Sequence, residues 1–138
     1  MRNIVNGKIS EISNSDVENK ITLLKNKVEQ YEKNYDQYRL QSYNETEIRV
    51  DFVNFLFQLI LGWDVLNEGD LPQHLRAVTR EANVTVEENG KNKTKKTDYA
   101  LKIGTEVLFY LETKKPATDI TVDILPAFQL RRYGWSEK

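Results

Sequence analysis

Three charged side chains, those of Asp98, Glu112 and Lys114, are predicted to converge at the open end of a β-hairpin. The chain between Asp98 and Glu112 holds two runs rich in apolar and aromatic side chains, which favour strands joined by a loop at residues 104–106. If all three loop residues are unpaired, Asp98 lies directly opposite Glu112. Directly opposed residues of an antiparallel pair project to one face, about 5 Å apart, and Lys114 follows on that face because side chains alternate along a strand.

Two opposed carboxylates destabilise a sheet by about 0.2–1 kcal/mol, whereas a divalent cation between them would reverse the sign. Hard oxygen ligands without Cys or His nearby suit Mg²⁺, or Mn²⁺ in its place, rather than Zn²⁺. The site depends on the register of the hairpin, because a two-residue loop would place Glu112 opposite Thr97 and remove the site. The alternative interpretation is that Asp98 and Glu112 are strand-end charges and that Lys114 and Lys115 protect a sheet edge.

Composition restricts the class of protein. The chain has 138 residues, 39% apolar and 30% charged, which is typical of one soluble globular domain. It has no cysteine, which excludes disulfides and thiolate metal sites and favours a reducing compartment. It also has no apolar stretch of membrane-spanning length and no signal-peptide pattern, so we expect a cytoplasmic protein without membrane contact.

The net charge of -1 hides an uneven distribution. Residues 91–138 hold ten Lys and Arg against six Asp and Glu, whereas residues 1–90 hold ten against fifteen. A basic surface around an acidic site is what an enzyme acting on a polyanion needs, although solvated lysines on an ordinary surface would give the same count.

A long N-terminal helix is predicted from about Asp16, after residues 1–13, which show no strong pattern. Its apolar side chains recur at heptad spacing, which needs a partner helix: the next helix of the same chain or a second copy. The heptad positions are Ile21, Leu24, Val28, Tyr31, Tyr35 and Tyr38. If this seam were the chain's main feature, the protein would be a self-associating coiled coil without a nucleic-acid role.

The remaining elements are predicted in the order helix, strand, strand, strand, helix. A second amphipathic helix covers residues 45–61 and stops at Gly62. A half-exposed strand covers residues 79–88, and Asn89-Gly90 is a strong turn signal. The central hairpin follows, Pro116 ends it, and the last helix starts near Pro126. This order predicts an α/β fold whose sheet is cut short, because no strand follows the last helix.

Five segments in this order resemble the motifs of nuclease domains of the PD-(D/E)xK superfamily. They are most similar to the amino-terminal domain of Type IIG restriction enzymes and of Type I restriction subunits. The segments are residues 43–49 (YNETEIR), 61–65 (LGWDV), 98–100 (DYA), 112–116 (ETKKP) and 129–136 (QLRRYGWS). The resemblance implies a restriction-endonuclease-like mixed central sheet flanked by helices. It divides the chain into an N-terminal helical segment, residues 1–41, and a nuclease core, residues 42–138.

The resemblance implies Mg²⁺-dependent hydrolysis of DNA phosphodiester bonds in a restriction system. Asp98 and Glu112 would ligate the metal with the carbonyl of Thr113, and Lys114 would orient the attacking water. Glu45 matches the helix carboxylate that completes the family's site. Glu45 has two alternative roles: a capping box with Ser42, or an ion pair with Arg49. Asn44 and Glu47 could form a capping box in place of Ser42 and Glu45.

The last matched segment adds residues near the DNA. Gln129 and Tyr133 match an element that lies beside the family's site, and Arg131, Arg132, Tyr133 and Lys115 are candidate DNA contacts. A solvated helix face for the arginines, and a core position for Tyr133 and Trp135, are the alternatives.

The chain departs from the family pattern in two respects. Thr97 stands where the family has Pro, and the methyltransferase and target-recognition regions that follow such domains are missing. The alternative function is therefore a catalytically silent, truncated module for nucleic-acid binding or assembly. Double-strand cleavage needs two sites, so the resemblance also implies a transient homodimer.

Overall fold

A three-stranded antiparallel sheet carries Asp98 and leads directly into Glu112, which follows its last strand. A computed structural model describes the backbone of residues 2–5, 8–11 and 13–136 and the side chains of residues 13–133. The strands are β3 (Val78–Glu88), β4 (Lys91–Ile103) and β5 (Glu106–Leu111), in the order β3-β4-β5. Asn89 and Gly90 both have positive φ, at 54° and 71°, as the predicted tight turn between β3 and β4 requires. The predicted turn and all three strands are confirmed.

Before the sheet comes a short hairpin and then the long helix. The strands β1 (Arg2–Val5) and β2 (Lys8–Glu11) pair antiparallel, although residues 1–13 carry no strand signal. The helix α1 (Asn14–Lys33) follows, capped by Ser13, whose side chain accepts from the Asp16 N–H at 3.2 Å. A single turn, α2 (Tyr35–Tyr38), continues it.

The second predicted helix is present, but it is not uniformly α-helical. It begins as α3 (Glu45–Ile48) and continues through π-helical turns at Arg49–Val53 and Phe55–Ile60. It ends at Gly62, whose φ of 79° confirms the predicted stop. A 3-10 turn at Gln73–Leu75 lies in the loop before β3.

The end of the heptad seam packs inside the chain. Tyr31 and Tyr38 both meet the ring of Phe52 edge-on, with centroids 5.5 and 5.2 Å apart. The start of the seam stays half exposed, since Val28 keeps 49% of its surface in solvent. The second helix is therefore one partner of the seam, as one of the two alternatives predicted.

Two apolar clusters hold the sheet between helices. Tyr99 and Leu101 of β4 pack with Val53 and Phe57 of the second helical segment. In the second cluster, Tyr133 of the last helix, α4 (Leu125–Ser136), packs against β3 and β5. The predicted α/β architecture is confirmed, and the strands described are all antiparallel.

The helices of the described ranges are short or polar. None of them combines the length and the apolar composition that are needed to cross a bilayer. The side chain of Trp135, predicted as a core aromatic or a site neighbour, lies outside the described side chains. The predicted division at residue 41 stays a prediction.

Candidate active site

The register of β4 with β5 brings Asp98 and Glu112 close together by a different route from the one predicted. Ile103 pairs with Glu106, so the loop has two residues, Gly104 and Thr105, and the predicted three-residue loop is wrong. A β-bulge then compensates. Lys102 pairs with Val107 and Leu101 with Phe109, which leaves Leu108 unpaired.

The extra residue in β5 restores the register that the short loop removes. Beyond the bulge Tyr99 pairs with Leu111, the last residue of β5, so Asp98 and Glu112 are the next residues of the two chain segments. Without the bulge, the short loop would set Glu112 against Thr97.

Asp98 is tied from two directions. Its Oδ2 accepts hydrogen bonds from the backbone N–H of Thr113 at 2.7 Å and from the Thr113 hydroxyl at 2.6 Å. Its Oδ1 forms an ion pair with Nη1 of Arg49 at 2.9 Å, and both side chains are largely shielded from solvent. These bonds fix the carboxylate between the end of β5 and the second helical segment, with little freedom to rotate.

Glu112 lies beside Asp98 but has fewer hydrogen-bond partners. Its Oε1 is buried and has no hydrogen-bond partner among the described residues. Burial raises the pKa of Glu112, and the negative charge of Asp98 raises it further. The hydroxyls of Thr97 and Tyr133 and the charge of Lys114 act in the opposite direction. A buried carboxylate oxygen without a donor, next to a second carboxylate, has the chemistry of a hard-cation ligand.

Lys114 meets Glu45 across the site. Its Nζ lies 3.6 Å from Glu45 Oε1, and its side chain is 25% exposed. Glu45 is free for this contact because the capping box forms at Asn44, which accepts from the Glu47 N–H while Glu47 accepts from the Asn44 N–H. Arg49 does not pair with the Glu45 carboxylate, which was one of the alternatives; its Nε donates to the Glu45 carbonyl.

Gln129 reaches the site through Tyr133. The Gln129 amide donates to the Tyr133 hydroxyl at 3.0 Å, and that hydroxyl donates to the Lys96 carbonyl at 2.9 Å. Tyr133 is 1% exposed, so the predicted contact with DNA is wrong and the alternative of a core position is correct. Burial of the ring, which packs beside Tyr110 and β3, is the physical reason. From this position its hydroxyl helps to lower the pKa of Glu112.

A basic cluster surrounds one acidic side chain at the far end of the β3–β4 hairpin. Glu88 forms ion pairs with Lys93 at 2.9 Å, with Lys95, and with Arg132 of α4 at 2.6 Å. The bonds from Lys95 and Lys93 lower the pKa of Glu88 to about 2. Of the other candidate DNA contacts, Lys115 donates to the Gln41 side chain, and Arg131 is exposed on α4.

Arg49 is the site residue that sequence reasoning missed. The sequence indicates it only as a partner of Glu45, four residues earlier on one helix face. The available signal is its place in the first matched segment, but the pairing with Asp98 spans 49 positions and depends on tertiary packing. Beside Asp98 opens a cavity of about 440 Å³, which Arg76 and Arg80 also line.

The donor set is small. In the described ranges no three His, Cys, Asp or Glu side chains form a metal-ligand cluster. Asp98 and Glu112 fit a dication that takes its remaining ligands from carbonyl, water or substrate oxygens, as Mg²⁺ commonly does.

Comparison with known proteins gives an informative match. The chain is similar to part of a restriction enzyme. It is 44% identical over 125 residues to the Type II restriction enzyme and methyltransferase RM.Eco57I of Escherichia coli. The match covers 87% of this chain but only 12% of that protein. No family model matches the chain, and no solved structure gives a significant match.

Proposed function

We propose that this chain is the Mg²⁺-dependent DNA endonuclease part of a restriction system, of the PD-(D/E)xK type found in Type IIG enzymes. The observation that carries the proposal is the proximity of the Asp98 and Glu112 carboxylates, with Lys114 beside them. The similarity to part of a restriction enzyme supports a restriction-system role and agrees with that chemistry.

Asp98 and Glu112 would hold the cation, with the Thr113 carbonyl as a further oxygen ligand. Mg²⁺ in this position would supply Lewis-acid chemistry and charge screening for phosphodiester hydrolysis, and Mn²⁺ could replace it. Thr113 has a second role, because its N–H and hydroxyl fix one oxygen of Asp98. Glu112 contributes the buried oxygen that has no partner among the described residues.

Lys114 is the residue that would orient the attacking water and stabilise the charge that develops on the phosphate. Its contact with Glu45 holds the ammonium at the site and gives Glu45 a supporting role without direct metal ligation. Gln129 acts on the site indirectly, since its amide positions the Tyr133 hydroxyl.

The basic cluster on the hairpin suits the DNA backbone. Lys93, Lys95 and Arg132 bring three positive charges around the single carboxylate of Glu88, which leaves an excess of two. Phosphate contacts of this kind give affinity without sequence specificity. Recognition of a target sequence and methylation would then belong to other regions of the complete enzyme, and cleavage of both strands would need a transient homodimer.

The alternative function is a catalytically silent module of a restriction system that binds nucleic acid or a partner protein. One observation favours it: the guanidinium of Arg49 already neutralises Asp98, so part of the acidic site is balanced without a metal.

Plasmid nicking separates the two functions. Purified protein is incubated with supercoiled DNA and Mg²⁺ or Mn²⁺, beside the Glu112→Gln variant as the matched control. The proposal expects nicking that requires the metal and disappears in Glu112→Gln. DNA binding without metal-dependent nicking in either protein would select the silent module.

A further inference from the structure

The guanidinium of Arg49 joins the start of the second helical segment to the carboxylate of Asp98. Nη1 pairs with Asp98 Oδ1 at 2.9 Å, Nε donates to the Glu45 carbonyl at 3.3 Å, and Nη2 donates to the Thr46 hydroxyl at 3.2 Å. The side chains of Arg49 and Asp98 are only 23% and 17% exposed. Arg49 is therefore held in place on the helix by two bonds besides the ion pair.

The ion pair conflicts with a cation on Asp98. A carboxylate offers about four acceptor positions, and Thr113 and Arg49 already use three of those on Asp98. A fixed positive charge in direct contact also repels a dication in a partly buried setting, where Coulomb interactions are weakly screened. The two cations therefore compete for Asp98.

We propose that Arg49 is the resident counter-ion of Asp98, which Mg²⁺ displaces and which then pairs with a DNA phosphate. This rests on the proposed function. Displacement breaks the Nη1 bond, and the Glu45 carbonyl and the Thr46 hydroxyl remain as nearby partners on the helix for the guanidinium as it moves. A displaced, partly buried guanidinium needs a new anion, and the substrate supplies phosphates, for which the guanidinium fork is well suited.

The cavity beside Asp98 gives the displaced group room to move. It has a volume of about 440 Å³, and Arg49 lines it together with Arg76 and Arg80. Arg80 forms no ion pair within the described part of the chain, so it offers a matched control that removes the same charge from the same cavity.

The test is calorimetric titration of Mg²⁺ into the full chain without DNA, for wild type, Arg49→Gln and Arg80→Gln. Removing the competing charge is expected to tighten Mg²⁺ binding by about tenfold or more in Arg49→Gln, and by less than about threefold in Arg80→Gln. Single-turnover nicking by Arg49→Gln should nevertheless fall by about tenfold or more, because glutamine has no charge to pair with the phosphate.

The opposite signs of the two effects separate this inference from the proposed function. If wild type binds Mg²⁺ and nicks DNA, but Arg49→Gln binds Mg²⁺ equally or more weakly, the exchange is wrong while the proposed function stands. If neither protein binds Mg²⁺, the proposed function fails and the exchange fails with it.

A measurement on the wild-type protein covers the case in which Arg49→Gln does not fold. The ¹⁵Nε and guanidinium resonances of Arg49 are followed by NMR during the Mg²⁺ titration. They should shift at the same metal concentration that saturates the calorimetric site, whereas those of Arg76 and Arg80 should not. Unchanged Arg49 resonances at saturation would overturn the proposal.

Discussion

Lys114 Nζ lies 3.6 Å from Glu45 Oε1, and this contact closes the candidate site between the end of β5 and the first turn of α3. Lys114 follows Glu112 by two residues, so the ammonium is presented next to the carboxylate expected to hold the cation. The neighbouring Lys115 is turned elsewhere and donates to Gln41. The two adjacent lysines therefore have different surroundings, with Lys114 at the site and Lys115 away from it.

The two lysines should differ in their effect on catalysis. Lys114→Met should reduce single-turnover nicking by about a hundredfold or more, because it removes a fixed cation from the reaction centre. Lys115→Met should change the rate by less than about threefold. Mg²⁺ affinity, measured by calorimetry, should not fall in either variant. Equal reductions in rate in the two variants would refute the assignment of Lys114.

A second prediction concerns the stability cost of the site. Glu112→Gln removes a buried negative charge close to Asp98, so metal-free protein at pH 7 should gain about 0.2–1 kcal/mol in free energy of unfolding. Mg²⁺ at a concentration that saturates wild type should reverse this order, because wild type gains more binding energy in the native state than the weakly binding variant. Thermal melts with and without Mg²⁺ measure both. A variant that melts below wild type without metal would contradict the unfavourable opposition of the two carboxylates.

A third prediction is a pH dependence. The pKa of Glu88 is lowered to about 2 by its bonds to Lys95 and Lys93. Because the pKa is lowered in the native state, the ionised carboxylate stabilises the fold fully at pH values above its unfolded pKa of about 4.3. This stabilisation is lost as the pH falls toward 2. Glu88→Gln should therefore be less stable than wild type at pH 6, with the difference shrinking between about pH 4.5 and 2. Urea unfolding at a series of pH values measures this difference, and a constant gap would contradict the ion-pair account.

A fourth prediction concerns DNA affinity. Replacing Lys93 and Lys95 together by Gln should reduce the slope of log affinity against log salt by about 1 for each phosphate that is no longer neutralised. The control replaces Lys25 and Lys33, two exposed lysines of α1, and should keep the wild-type slope. Fluorescence anisotropy with a labelled duplex between about 50 and 200 mM salt gives the slopes. Identical slopes in both double variants would remove the hairpin from the DNA-binding surface.

The sequence predicted helices, strands and turns well where a segment's own residues determine its conformation. Asn89-Gly90 specifies a tight turn, and Gly62 specifies the end of a helix. The heptad spacing before Tyr38 specifies a helix, and all three features are present. The hairpin β1–β2 was missed because its strands are four residues each, too short for a periodic pattern to emerge.

The candidate site depends on structure that local signals do not specify. A bulge at Leu108 has no local marker such as glycine, so the loop length was mispredicted, and Asp98 and Glu112 come close together only because the bulge offsets the shorter loop. Arg49 reaches Asp98 only through tertiary packing, and nothing in its immediate sequence specifies that partner.

Mg²⁺ binding at equilibrium tests the central claim most directly. Calorimetry of wild type, Asp98→Asn and Glu112→Gln, each checked for folding by circular dichroism, counts sites and reports affinity without relying on turnover. One site per chain in wild type, weakened by about a hundredfold or more in both single variants, is the predicted result. Binding that survives either substitution unchanged would show that the two carboxylates do not share an ion.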